Sequence, residues 1–137
     1  MKLSKEELKN IYDEVNSRAN PTKALFGALI GVIPAACIYI LYGFADRIYI
    51  VLMVIPPIVI GISARYFGQC YSIKHRIPAG IVGAILYVVA CLVLLQHQGV
   101  SVLAPVAFAV TFTFAKVKLN KNEARAVSAA NLGVIES

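Results

Sequence analysis

The polar and apolar positions fall into long blocks, with short charged flanks between them. Four uncharged runs dominate: Ala24–Ala45, Ile48–Ala64, Ile77–Val100 and Ser101–Ala115. The third and fourth are parted by Gln96, His97, Gln98 and Gly99, which suit a turn and not hydrocarbon. Helical segments drawn on these runs cover about 24–44, 48–67, 77–95 and 101–117, or 17 to 21 residues each. At about 1.5 Å per residue such segments match a bilayer core about 30 Å thick. None has a polar face to turn toward water, so buried helices of a soluble bundle are a poor alternative.

The ends of the chain have a different period. Ser4 followed by Glu7 forms a capping box, and Leu8, Ile11, Tyr12 and Val15 then recur at helical spacing opposite Lys5, Glu6, Lys9, Asp13 and Glu14. This pattern predicts an amphipathic helix over about 4–17, ended by Asn20-Pro21, that lies at an interface or docks a partner. The opposite tail has a thin apolar face and predicts at most a frayed helix from Asn122 to Gly133. The expected organisation is therefore an amphipathic segment (1–23), a transmembrane domain (24–117) and a C-terminal tail (118–137).

Composition agrees with this patterning. Hydrophobic residues make up 59% and charged residues 15%, against roughly 25% charged in ordinary soluble domains. Mean hydropathy is +0.75. The charged flank before the first apolar run, with no small-residue cleavage site after it, argues against a cleaved signal peptide.

Charge adds an orientation. Lys2, Lys5, Lys9, Arg18 and Lys23 precede the first run; Arg65, Lys74 and Arg76 lie between the second and third; Lys116, Lys118, Lys121 and Arg125 follow the fourth. Of the 13 Lys and Arg, only Arg47 falls on the other side of a four-span arrangement. The positive-inside rule then predicts both termini and the 65–76 link in the cytoplasm. The net charge of +6 is explained by topology and attraction to anionic lipid headgroups, not by nucleic acid, because no base-stacking module accompanies it.

The runs themselves carry small residues in rows: Gly27, Gly31 and Ala35; Gly61, Ala64 and Gly68; Gly80, Gly83 and Ala84; Ala104, Ala107, Thr111 and Ala115. Such rows let helix backbones approach closely and predict a compact bundle, an oligomer, or both. Pro34, Pro56, Pro57 and Pro105 are read as interior kinks that free the carbonyls near Ile30, Leu52 and Met53, whereas Pro78 reads as a helix start.

Absences narrow the function. Asp46, in a link, is the one acid between residues 24 and 115, which disfavours ion-coupled carriers and the small multidrug antiporters with their embedded glutamate. No nucleophile–base pair or metal-ligand spacing occurs, and His75 and His97 fall on opposite membrane faces, so the chain reads as non-enzymatic, with no cofactor and no metal. Cys37 and Cys91 read as buried apolar residues at similar depth, Cys70 as a free cytoplasmic thiol.

Arg65-Tyr66 with the 111–114 sequence Thr-Phe-Thr-Phe faintly resembles the fluoride channels. Nothing spans after Thr113 and no asparagine lies in the apolar runs, so that likeness is set aside. Gly61-x-x-Ala64-Arg65-x-x-Gly68, with Arg76 and Tyr87, is similar to uncharacterised small four-span proteins of bacterial inner membranes. That resemblance implies an inner-membrane location and no activity. Arg65, Lys74 and Arg76 are the candidate functional or anchoring residues, with Asp13 or Glu14 as partners for Arg65. The expected function is a non-enzymatic component that oligomerises or binds a partner protein. The alternative is an oligomeric pore lined by proline-freed carbonyls, Ser63, Thr111 and Thr113, and biased to anions by Arg65.

Overall fold

The structure is a computed structural model that describes residues 3–44, 50–94 and 102–135. The link with Arg47 and the 96–100 link with His97 lie outside the described residues. Among the described residues the chain is all-α. Six helices follow one another: α1 (Lys5–Arg18), α2 (Pro21–Gly43), α3 (Ile55–Gly68), α4 (Ile73–Val89), α5 (Ala104–Phe114) and α6 (Lys121–Asn131). A 3-10 turn, Ile50–Val54, leads into α3, and a π-helical turn, Ala90–Leu94, continues α4. Two stretches, Pro21–Gly43 and Ile73–Val93, are long and apolar enough to cross a membrane; Leu52–Gly68 and Ala104–Phe114 are apolar but shorter.

Several boundaries differ from the sequence expectation, and proline explains most of them. Pro56 and Pro57 do not kink a long helix; they sit in the first turn of α3, where a missing N–H costs nothing. Pro105 likewise opens α5, which has 11 residues and rises only about 16 Å. Pro34 is inside α2. Pro78 is also interior, because α4 begins early, at Ile73 behind Ser72.

The proline-freed carbonyls of the second run are occupied. The Tyr42 hydroxyl donates to the Leu52 carbonyl at 3.0 Å, and the Tyr39 hydroxyl to that of Met53 at 3.4 Å. These are the two groups that Pro56 and Pro57 leave without an i+4 donor. Tyr39 also meets Tyr87 of α4 edge-on, ring centroids 6.4 Å apart, in a buried cluster with Met53, Cys91 and Ala107.

Helices α2 to α5 run alternately up and down. Around the bundle the order is α2, α3, α5, α4, with α3 also touching α4. Closeness comes from missing side chains. A Cβ on Gly27 would lie 2.7 Å from Cβ of Phe67 and from the Ser63 carbonyl oxygen. One on Gly31 would lie 2.9 Å from Cβ of Ser63, and one on Gly68 would overlap Ala24. A Cβ on Gly61 would lie 2.7 Å from the Thr111 carbonyl oxygen, one on Gly80 2.7 Å from the Phe108 ring, and one on Gly83 would run into the Thr111 side chain. Ala28, Ala35, Ala64, Ala79 and Ala115 fill the second core cluster around Ile60.

Size is thus distributed opposite to a water-soluble protein. The interior is largely glycine and alanine with Thr111, around a few larger side chains (Tyr39, Met53, Ile60 and Tyr87), while Phe26, Ile33, Leu41, Ile62, Ile85 and Val93 stand outside, Ile33 at 68% exposure. Large apolar side chains facing outward need something other than water against them.

The two terminal helices form a separate polar layer. Helix α6 packs on α1 and is capped by Asn120 and Glu123. The tail is therefore a docked helix beginning at Lys121, not a frayed one. Ala126 is fully buried, with Val15 and Ile135 also inside, and Arg18 pairs with Glu14 of its own helix and with Glu123 of α6, the latter at 3.7 Å. Tyr71 donates to the Asn16 side chain at 3.3 Å, and the Asn20 N–H to the Gly68 carbonyl at 3.0 Å; both bonds fasten this layer to the α3–α4 link.

Candidate functional site

The α3–α4 link, with the α5–α6 link beside it, gathers the charged and reactive side chains at one end of the bundle. Gly68, the last residue of helix α3, is packed so closely on Ala24 that a Cβ there would overlap it. The left-handed position that closes the helix is the next residue, Gln69, with φ 46°. Its N–H returns to the Arg65 carbonyl at 3.1 Å and closes the helix.

The three candidate cations separate. Arg65, in the last turn of α3, is exposed. It has no ion pair among the described residues; Glu14 is taken by Arg18, so the expected contact with Asp13 or Glu14 is not made. Lys74 is exposed at the start of α4. Arg76 is buried: its guanidinium lies 4.6 Å above the Phe112 ring of α5, and its Nε donates to the Ser72 carbonyl at 3.3 Å. A desolvated cation on an aromatic face contributes about 2 kcal/mol, so Arg76 holds α4 to α5 and is not a free surface anchor.

Cys70 is free, as expected, and is buried at 2% exposure. Its Sγ donates to the Gly68 carbonyl at 3.4 Å, and burial pushes the thiol above its ordinary value despite the nearby Arg76. Cys37, expected to be buried, is exposed on the bundle exterior; Cys91 is buried; all three thiols are free. The His75 Nδ1 is buried with no hydrogen-bond partner among the described residues.

No family model matches the sequence, and no curated protein or solved structure matches it significantly. No group of three or more metal-ligating residues occurs among the described residues.

Sequence reasoning missed Lys116 and Lys118 as partners of Arg65. They lie across a 260 Å³ depression from it, which Thr113 and Phe114 also line. Their position just beyond the end of α5 was legible; that α5 runs parallel beside α3 was not. Thr111, expected in a pore wall, is fully buried, and its hydroxyl lies 3.1 Å from the Pro57 carbonyl oxygen and 3.0 Å from that of Ala107.

Proposed function

We propose that the protein is a small non-enzymatic multi-pass membrane component, with four helical segments held in the bilayer of a bacterial inner membrane. The α1–α6 pair forms a cytoplasmic head through which a partner is anchored or assembled. One observation carries this reading: small residues are packed inside and large apolar ones stand outside. Lipid removes the cost that water would impose on such a surface, and close backbone packing then replaces hydrophobic burial as the cohesive force.

Dimensions add support. Helix α2 rises about 35 Å, and the Ile73–Val93 stretch about 32 Å. The 3-10 turn adds about 2 Å per residue to α3, giving a contour of roughly 31 Å for Ile50–Gly68. The short α5 reaches about halfway on its own.

A pore is less well supported. The Leu52 and Met53 carbonyls are bonded by tyrosines, Thr111 is committed within the bundle, and Arg65 stands at the charged end. The six glycines are used within one chain, so their rows supply no surface for self-association.

Alkaline carbonate extraction of native membranes tests embedding: the protein stays in the pellet. A Lys74→Cys variant without native cysteines reports sidedness, because Lys74 is exposed where Cys70 is not. An impermeant thiol reagent labels it only after the cells are opened. Release into the carbonate supernatant, or labelling in intact cells, would end this reading.

A further inference from the structure

The exterior of α5 carries a continuous depression with two chemistries. Its upper part is an apolar groove of about 410 Å³ lined by Pro105, Val106, Ala109, Val110, Thr113 and Phe114. Ala109 and Thr113 are small and exposed, so they form the floor between larger neighbours. The Thr113 hydroxyl is turned back onto the Ala109 carbonyl oxygen at 2.7 Å, which removes its polarity from the groove. Thr113 and Phe114 also line the next depression, where the walls become Arg65, Lys116 and Lys118. Arg65 then borders a third, with Tyr66 and Gln69. Among the described residues no carboxylate lines any of the three.

From Pro105 to Phe114 the groove follows about 14 Å of helix, close to half of a 30 Å hydrocarbon core. An apolar slot one leaflet deep, ending at three cations free of acidic partners, fits one class of molecule. Resting on the membrane reading above, we propose that this surface is a binding site for a single anionic phospholipid. Its acyl chain lies along α5, and its phosphate is held by Arg65, Lys116 and Lys118. Arg65 offers a planar fork to two phosphate oxygens, and the lysines supply point charges from the other side. Phosphatidylcholine fills the slot equally well and carries the same phosphate, but its attached quaternary ammonium cancels the net charge and repels the three cations.

Native mass spectrometry of the full chain in detergent tests this, with phosphatidylglycerol, phosphatidylcholine and inorganic phosphate as separate probes. Phosphatidylglycerol is expected to bind as one retained molecule, more tightly than phosphatidylcholine, and an excess of inorganic phosphate leaves it in place. Removing two charges in the pair Arg65→Ala and Lys116→Ala weakens it about thirtyfold, at about fivefold per cation. The pair Lys121→Ala and Arg125→Ala, exposed on α6, removes the same charge and changes binding less than twofold. Ala109→Leu fills the groove floor and weakens phosphatidylglycerol as well.

Equal losses from both charge pairs would mean diffuse attraction and overturn the site. So would equal affinity for phosphatidylcholine, or displacement by inorganic phosphate, which would mark a free-anion site. A dimer dissolved by Ala109→Leu with lipid binding intact would assign the groove to a second copy. Recovery of the protein from the soluble fraction is a different result, and it defeats the membrane reading itself.

Discussion

Gly83→Ala places a methyl group against the Thr111 side chain, at a tight contact between α4 and α5. Thr111 cannot retreat. It is fully buried, and its hydroxyl is committed to the carbonyls of Pro57 and Ala107. Overpacking of this kind costs roughly 1–3 kcal/mol, against about 1 kcal/mol regained by replacing glycine within a helix. The net loss is then up to about 2 kcal/mol. Thr111→Ala alone loses one buried hydrogen bond, about 1 kcal/mol, and opens a small void. Together the changes compensate, because the new methyl occupies the space of the lost hydroxyl; only the contact to Cβ of residue 111, at 2.9 Å, remains tight. A double-mutant cycle on reversible unfolding in mixed micelles should give a favourable coupling of about 1 kcal/mol or more. A Gly83→Ala that stabilises the protein, or effects additive within about 0.5 kcal/mol, would refute the packing argument.

Four further outcomes are expected. Tyr39→Phe strands the Met53 carbonyl in a buried site and should cost about 1–3 kcal/mol by micelle unfolding. Gln69→Gly relieves the one left-handed non-glycine residue among those described and should stabilise by about 1 kcal/mol in the same assay. Ala126→Glu forces a charge between α1 and α6; limited proteolysis should then clip the C-terminal tail quickly while the bundle melts as before. Burial raises the Cys70 thiol, so its contribution to stability is complete below the ordinary value of 9.0 and is lost as pH rises through the higher folded value. Thiol labelling at that site should accordingly begin at higher pH in the folded protein than after denaturation.

Local signals were legible wherever one residue type dictates one backbone arrangement. The Ser4–Glu7 box located α1, and the apolar runs located α2 and the Ile73–Val93 stretch. The same box, Asn120 followed by Glu123, is present before α6. It starts that helix one residue earlier than expected, at Lys121, and Val15, Ala126 and Ile135 show what the thin apolar face was for: one neighbour, not a core. Hydropathy placed Pro56, Pro57 and Pro105 inside helices because it counts apolar length and ignores the missing N–H, which favours the first turn. Pairings between distant segments were not legible. Gly83 with Thr111, Arg76 with Phe112, and Arg65 with Lys116 all depend on α5 returning between α3 and α4. No local period encodes that neighbour, so Arg76 looked like an exposed anchor and the basic cradle looked like scattered charge.

The most direct test of the account is the solvent that the outer face meets. Spin labels introduced singly at Ile33, Ile62 and Ile85, all exposed on the bundle, can be read in liposomes against oxygen and a water-soluble nickel chelate. A lipid-embedded bundle predicts strong relaxation by oxygen and little by nickel at all three, with the reverse at Lys74. Strong relaxation by nickel at Ile33, Ile62 and Ile85 would mean that water covers that face, and the inverted packing would need another explanation.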